Sequence, residues 1–79
     1  MKPHVCLNDL QPGQQAIVQE LRSTGSIRRR LLDMGLIPHT KVSVSKIAPM
    51  GDPMELQLRG YVLTLRKEDA SGIEVEVEA

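Results

Sequence analysis

Two neighbouring stretches, residues 54–59 and 61–66, alternate between large apolar residues and mainly polar ones. The apolar positions that would share one face are Met54, Leu56, Leu58, Tyr61, Leu63 and Leu65. A period of two residues is typical of β-strands with one buried face, because successive side chains point to opposite sides of a sheet. Gly60 with Tyr61 fits the centre of a two-residue turn. The pattern therefore predicts an antiparallel hairpin.

The same alternation predicts three further strands. The first has Ala16 and Val18 on its inner side, the second spans residues 41–47, and the third spans residues 73–78. In the last of these, apolar residues alternate strictly with glutamates. Each of these strands is expected to bury one face and expose the other.

Two turns of similar sequence lead into the first two of these strands. Residues 11–14 (Gln-Pro-Gly-Gln) fit a type II turn, in which proline presets its own φ and glycine takes a positive φ. Residues 36–42 repeat the leucine–proline spacing, with His39 at the glycine position. Histidine tolerates a positive φ better than most residues. We therefore expect His39 to adopt a left-handed conformation.

One convincing helix is predicted, at residues 27–34. Ile27, Leu31 and Met34 are spaced as one stripe that faces the core. Ser26, or Ser23 if the helix begins earlier, can cap its N-terminus. Gly35 follows as a left-handed stop.

These elements predict a mainly β fold with one short helix. About five short strands in a chain of 79 residues favour a small, partly open β-barrel. The helix is expected to cap one end of the barrel. Because the chain is too short for a second core, residues 1–79 are predicted to form a single domain.

Composition narrows the functional classes. The chain carries ten basic and ten acidic residues, so its formal net charge at pH 7 is zero. Nucleic acids attract proteins with a positive field, and single-stranded RNA is also bound by aromatic stacking. Tyr61 is the only aromatic residue. We therefore expect an aliphatic core and no nucleic-acid partner.

Signals of secretion or membrane insertion are not apparent in the sequence. Cys6 is the single cysteine, which excludes an intramolecular disulfide. The first nine residues hold no apolar run of the kind found in signal peptides, and no stretch approaches the ~20 apolar residues of a transmembrane helix. The sequence thus predicts a soluble, cytoplasmic protein without direct membrane insertion.

Five segments, in this order, carry a family resemblance. They are Leu-Gln-Pro-Gly (10–13), Ser-Ile-Arg-Arg-Arg-Leu-Leu-Asp-Met-Gly-Leu-Ile-Pro (26–38), Ala-Pro-Met-Gly-Asp-Pro-Met (48–54), Arg-Gly-Tyr-Val-Leu-Thr-Leu-Arg-Lys (59–67) and Ile-Glu-Val (73–75). Together they resemble the FeoA family, the small cytosolic proteins of bacterial ferrous-iron transport. The resemblance covers nearly the whole chain.

The resemblance implies a fold, a partner and the lack of an enzymatic activity. The fold is an SH3-like barrel. The partner is the cytosolic part of FeoB, a large membrane protein that carries a GTP-binding domain and moves Fe²⁺. His39 departs from the family pattern, which usually has glycine after the proline.

A partner-binding surface is predicted from the arginine cluster of the helix, the segment after it and the proline-containing loop before the hairpin. Its residues are Arg28, Arg29, Leu36, Ile37, Pro49, Met50, Gly51, Asp52, Pro53 and Met54. Methionine suits adaptable interfaces, and loops on barrels often carry binding sites.

Each part of this surface also has a structural interpretation. Residues 28–30 fit a solvated helix face, with Arg30 laying its stem over the barrel. An arginine directed at GTP, as in GTPase activation, is a third interpretation. Pro49 and Pro53 fit a barrel corner, where proline lowers the entropy of the unfolded chain.

We predict no metal, cofactor or catalytic site. His4 and Cys6 would face one side of an extended segment, but a metal site needs three or four ligands, and nothing in the sequence places His39 near them. No nucleophile–base pair, carboxylate dyad or phosphate loop stands out.

The alternative function is a stand-alone regulatory domain similar to the C-terminal SH3-like domain of metal-dependent repressors. Exposed strand edges are consistent with a monomer or a weak dimer.

Overall fold

The computed structural model describes residues 4–78, in which six β-strands form one antiparallel sheet. The strands are β1 (His4–Cys6), β2 (Gln15–Leu21), β3 (Lys41–Ile47), β4 (Met54–Leu58), β5 (Tyr61–Leu65) and β6 (Ile73–Val77). A 3-10 turn (Leu7–Asp9) and two helices, α1 (Gly25–Asp33) and α2 (Lys67–Ala70), connect them. The mainly β prediction is confirmed. The sequence did not indicate β1, because three residues are too few to show a period.

The sheet is open, with β1 and β5 at its edges. Its strand order is β1-β6-β2-β3-β4-β5. Helix α2 follows β5 and contacts the 3-10 turn, which follows β1. This contact brings the two edges towards each other without pairing them, as in a partly open barrel.

The core is aliphatic, as predicted, and gathers the inner faces of the strands with residues from the helices and turns. Its buried apolar side chains are Leu7, Leu10, Ala16, Val18, Leu21, Leu31, Leu36, Val42, Val44, Met54, Leu56, Leu58, Leu65, Ala70, Ile73 and Val75. Burial of this apolar surface is the main favourable term in folding.

The hairpin forms at the predicted strands, but its turn lies one residue earlier. Leu58 pairs with Tyr61, so Arg59 and Gly60 are the central residues of the turn. Their φ angles are 39° and 89°. A two-residue turn with positive φ at both central positions matches the twist of the flanking strands. The prediction of Gly60 with Tyr61 was wrong because it assumed a turn with only one left-handed residue.

The two similar turns are confirmed. Gly13 has a φ of 92° and His39 a φ of 74°. The N–H of Gln14 donates to the carbonyl of Gln11 at 3.1 Å, and the N–H of Thr40 donates to the carbonyl of Ile37 at 3.2 Å. Both turns therefore close in the same way, although one uses glycine and the other histidine.

Helix α1 is rotated relative to the predicted stripe. Leu31 is fully buried and Met34 is partly buried, but Ile27 is 43% exposed. The helix begins at Gly25 after Thr24, and Thr24 makes no side-chain cap bond. The prediction of a serine cap was wrong, because the helix begins two residues earlier than predicted and Thr24 takes the cap position. No helix within residues 4–78 has the length and apolarity needed to cross a membrane.

Thr40 offers a stability test within the core. Its side chain is 2% exposed, and its hydroxyl has no hydrogen-bond partner among residues 4–78. Replacing it with valine removes the unpaired hydroxyl and keeps the shape, so we expect Thr40→Val to raise the free energy of unfolding by about 1 kcal/mol. Urea denaturation measures this change. A loss of stability would show that the hydroxyl has a partner in solution.

Candidate functional site

Residues 48–53 connect β3 to β4 and are called the proline loop below. The N–H of Ala48 donates to the carbonyl of Pro53 at 3.1 Å, which joins the two ends of the loop. Within it, the N–H of Gly51 donates to the carbonyl of Ala48 at 2.7 Å, and Gly51 has a φ of 85°. The Asp52–Pro53 peptide bond is cis. The loop is therefore a closed, internally bonded turn.

Asp52 fastens the proline loop to helix α2. Its Oδ1 accepts a hydrogen bond from the N–H of Lys67 at 2.9 Å. Lys67 is the first residue of α2, where backbone N–H groups have no partner within the helix. A carboxylate is favourable at this end of a helix. Asp52 thus has a structural role besides any role in binding.

The two methionines of the predicted surface have opposite environments. Met50, at the tip of the proline loop, is 92% exposed. Met54 begins β4 and is only 2% exposed. Met54 therefore leaves the candidate set, because its side chain belongs to the core.

Residues of the proline loop line parts of two depressions. One, of about 340 Å³, is lined by Pro49 and Pro53 together with residues of β3, β4 and β5. The other, of about 430 Å³, is lined by Pro49 and Gly51 together with the segment that contains Pro12. The proline loop thus borders both depressions.

The three arginines of α1 have different roles. Arg28 and Arg29 are exposed and line a depression of about 300 Å³ with Gly25 and Leu32. Arg30 Nη2 lies 2.9 Å from Asp69 Oδ2 in α2. This contact supports the structural interpretation of Arg30, whereas Arg28 and Arg29 make no ion pair with a carboxylate of residues 4–78.

Helix α2 links the two predicted halves of the surface. It receives the Asp52 carboxylate at its first residue and supplies Asp69 to Arg30 of α1. The proline loop and α1 are thus both attached to the four-residue helix α2. The sequence did not indicate this link, because it depends on contacts between distant residues.

Of the two candidate residues after α1, one is exposed. Leu36 is fully buried, whereas Ile37 is 42% exposed. Leu36 therefore leaves the candidate set as well. The exposed candidate side chains are Arg28, Arg29, Ile37, Pro49, Met50, Asp52 and Pro53.

Tyr61 has a role that the sequence did not predict. Alternation placed it inside with Leu63 and Leu65, but it is 44% exposed. Its hydroxyl donates to the carbonyl of Met34 at 2.6 Å, next to Gly35. The single aromatic side chain therefore ties the hairpin to the C-terminal end of α1. The only hint in the sequence was its polar hydroxyl, which usually finds a partner.

The histidine and cysteine residues do not converge. His4 Nδ1 lies 3.5 Å from Glu74 Oε1, and Cys6 is partly buried. His39 lies in the turn before β3. Within residues 4–78, no group of three or more histidine, cysteine, aspartate or glutamate residues is placed to hold a metal ion.

Comparison with known proteins gives a consistent family assignment. The family model described as the FeoA domain matches residues 5–77. A curated relative, the Fe(2+) transport protein A/Fe(2+) transporter FeoB fusion protein of Porphyromonas gingivalis, is 37% identical over 71 residues. That alignment covers 90% of this chain and only 8% of the fusion protein.

Solved structures share the fold. A FeoA-like protein from Clostridium acetobutylicum has a TM-score of 0.91 at 38% identity, covering 100% of this chain and 92% of that one. FeoA from Stenotrophomonas maltophilia, described as an SH3 domain protein and solved with zinc, has a TM-score of 0.80 at 24% identity, with 91% and 89% covered. IdeR from T. acidophilum has a TM-score of 0.84 at 22% identity, covering 99% of this chain and 37% of IdeR. The SH3-like fold is therefore confirmed.

Proposed function

The chain belongs to the FeoA family of ferrous-iron transport, and on this premise we propose that it is a non-catalytic cytosolic accessory protein that binds the cytosolic part of a FeoB-type transporter. The fusion protein of Porphyromonas gingivalis, named for both proteins, carries the proposal. Two domains in one polypeptide meet at a high effective concentration. A separate chain has to reach the same partner through an interface.

The proline loop is the part of the surface best suited to that interface. Its ends and its tip are held by hydrogen bonds, and Asp52 fastens it to α2. A preformed loop loses little conformational entropy on binding, so more of the contact energy appears as affinity. Met50 offers an adaptable apolar contact and is 92% exposed. The two depressions that the proline loop borders can receive partner side chains.

The exposed arginines of α1 add an electrostatic component to the proposed interface. Arg28 and Arg29 are exposed, and neither forms an ion pair with a carboxylate of residues 4–78. Exposed cations chiefly raise the association rate and select an acidic partner face. Binding then biases the transporter towards the conformation for which the chain has the higher affinity.

Titration of the transporter's cytosolic part with this chain tests the proposal. Wild-type chain is expected to bind, and Met50→Asp is expected to weaken the affinity by at least about tenfold, because a carboxylate would have to be desolvated at an apolar contact. Isothermal titration calorimetry or fluorescence anisotropy gives the dissociation constants.

Val62→Asp is the matched control, since Val62 is also an exposed apolar residue, at 55%, and lies on the edge strand β5. It should bind like the wild type. If both variants weaken binding equally, the proline loop is not the interface. If the wild-type chain does not bind, the proposed partner is wrong.

The alternative, a stand-alone regulatory domain, draws support only from the fold. The chain and IdeR share a similar fold, with a TM-score of 0.84, but their sequences are only 22% identical. The two functions predict different partners. Binding to a metal-dependent repressor, with no binding to the transporter, would favour the alternative.

A further inference from the structure

A further depression differs in chemical character from those beside the proline loop. Its volume is about 500 Å³, and it lies between the turn at His39 and the turn of the β4–β5 hairpin. It shares no lining residue with the two depressions beside the proline loop. Below it is called the polar cleft, defined by Gln15, His39, Lys41, Ser43, Gln57 and Arg59.

The floor of the polar cleft is a row of uncharged polar side chains. Gln15 pairs with Ser43 across β2 and β3, and Ser43 pairs with Gln57 across β3 and β4. Residues directly opposite each other in neighbouring strands share a face. Three adjacent strands therefore present two amides and one hydroxyl to the same space.

Two cations lie beside this row of polar side chains. Lys41 precedes Ser43 by two residues in β3, and Arg59 follows Gln57 by two residues on the adjacent chain segment. Lys41 Nζ lies 3.4 Å from Glu78 Oε2, so it is partly neutralised. Arg59 makes no ion pair with a carboxylate of residues 4–78. None of the lining residues is acidic.

Backbone strain is concentrated at the same place. Within residues 4–78, the two non-glycine residues with positive φ are His39, at 74°, and Arg59, at 39°. Both line the polar cleft. Unfavourable backbone conformations persist where the surrounding structure holds them, and they occur preferentially at functional sites.

We propose that the polar cleft binds a phosphate-bearing anion, at a site distinct from the proposed partner interface. The planar guanidinium of Arg59 can donate two parallel hydrogen bonds to phosphate oxygens, and Lys41 adds a point charge. Gln15, Ser43 and Gln57 supply further donors from the floor. These donors exceed what the two oxygens of a single carboxylate accept, and they suit a phosphate group.

Inorganic pyrophosphate is the probe for this site. We would titrate it into the full ¹⁵N-labelled chain, with potassium chloride holding the ionic strength constant, and follow the amide resonances. Binding is expected to shift the amides of Ser43, Gln57 and Gly60. Arg59→Gln should weaken the affinity by about tenfold through loss of the charge-assisted pair. Unchanged resonances, or shifts spread equally over the residue 28–30 region, would overturn the proposal.

Two matched pairs of variants, Arg59→Gln with Arg66→Gln and Glu78→Gln with Glu68→Gln, distinguish a specific site from an effect of net charge. Arg66→Gln removes one exposed cation outside the cleft and should leave the affinity unchanged. Glu78→Gln releases Lys41 and should strengthen binding about threefold, whereas Glu68→Gln makes the same charge change on α2 and should not. Equal effects within either pair would overturn the proposal. The amide spectra of all variants also report whether each one folds.

Discussion

Replacing Leu31 with alanine is expected to lower the free energy of unfolding by about 3 kcal/mol. Leu31 is the buried residue of α1, with 0% exposure, and it packs in the core shared with the sheet. Truncation removes apolar burial and leaves a cavity. In a domain of this size, the loss corresponds to a fall in melting temperature of roughly 10–20 °C. Thermal and urea denaturation, followed by circular dichroism, measure both quantities.

Ile27→Ala is the control on the same helix. Ile27 occupies the stripe predicted from the sequence, yet it is 43% exposed. Its truncation should cost less than about 1 kcal/mol, because much of the side chain is already in water. Equal losses for the two variants would contradict the orientation of α1 described above.

Gly35→Ala is expected to lower the free energy of unfolding by about 2–3 kcal/mol. Gly35 has a φ of +100°, and a Cβ at this position would stand 2.2 Å from the Tyr61 hydroxyl oxygen. The left-handed backbone contributes about 1 kcal/mol. Displacing Tyr61 adds the cost of its hydrogen bond to Met34, at about 1 kcal/mol or more. Urea denaturation again gives the change.

Gly13→Ala separates these two contributions. Gly13 has a φ of +92°, but nothing lies within 4 Å of the Cβ that would be added. It should show the backbone cost alone, about 1 kcal/mol. In a Tyr61→Phe background, the cost of Gly35→Ala should fall towards that value. If Gly35→Ala and Gly13→Ala cost the same in the wild-type background, Tyr61 does not approach Gly35 as described.

The strands were the most predictable part of the fold. Residues 41–47 were predicted to the residue, and each hairpin strand was found in place but ends one residue earlier than predicted. Alternation is a local property, since a strand with one buried face must repeat every second residue. The left-handed His39 was also predictable, because its turn repeats the spacing around Gly13. Chain geometry within a few residues decides such features.

The helix was predicted less completely. Its existence and its glycine stop followed from the sequence, but the face that it buries did not. Ile27 fits an apolar stripe, yet its position relative to the sheet leaves it exposed. A helical stripe has a width of several residues, and the packing of the helix selects which of them reach the core.

For the candidate surface too, some features follow from the sequence and others only from the tertiary structure. By itself, the sequence determined the family, the mainly β class and the two motifs of the candidate surface. Only the tertiary structure decided that Met50 is exposed while Met54 is buried, and that α2 joins the proline loop to α1. It also brought Lys41 and Arg59 to one cleft. Residue type and local period act along the chain, whereas exposure and convergence depend on packing between segments that are distant in sequence.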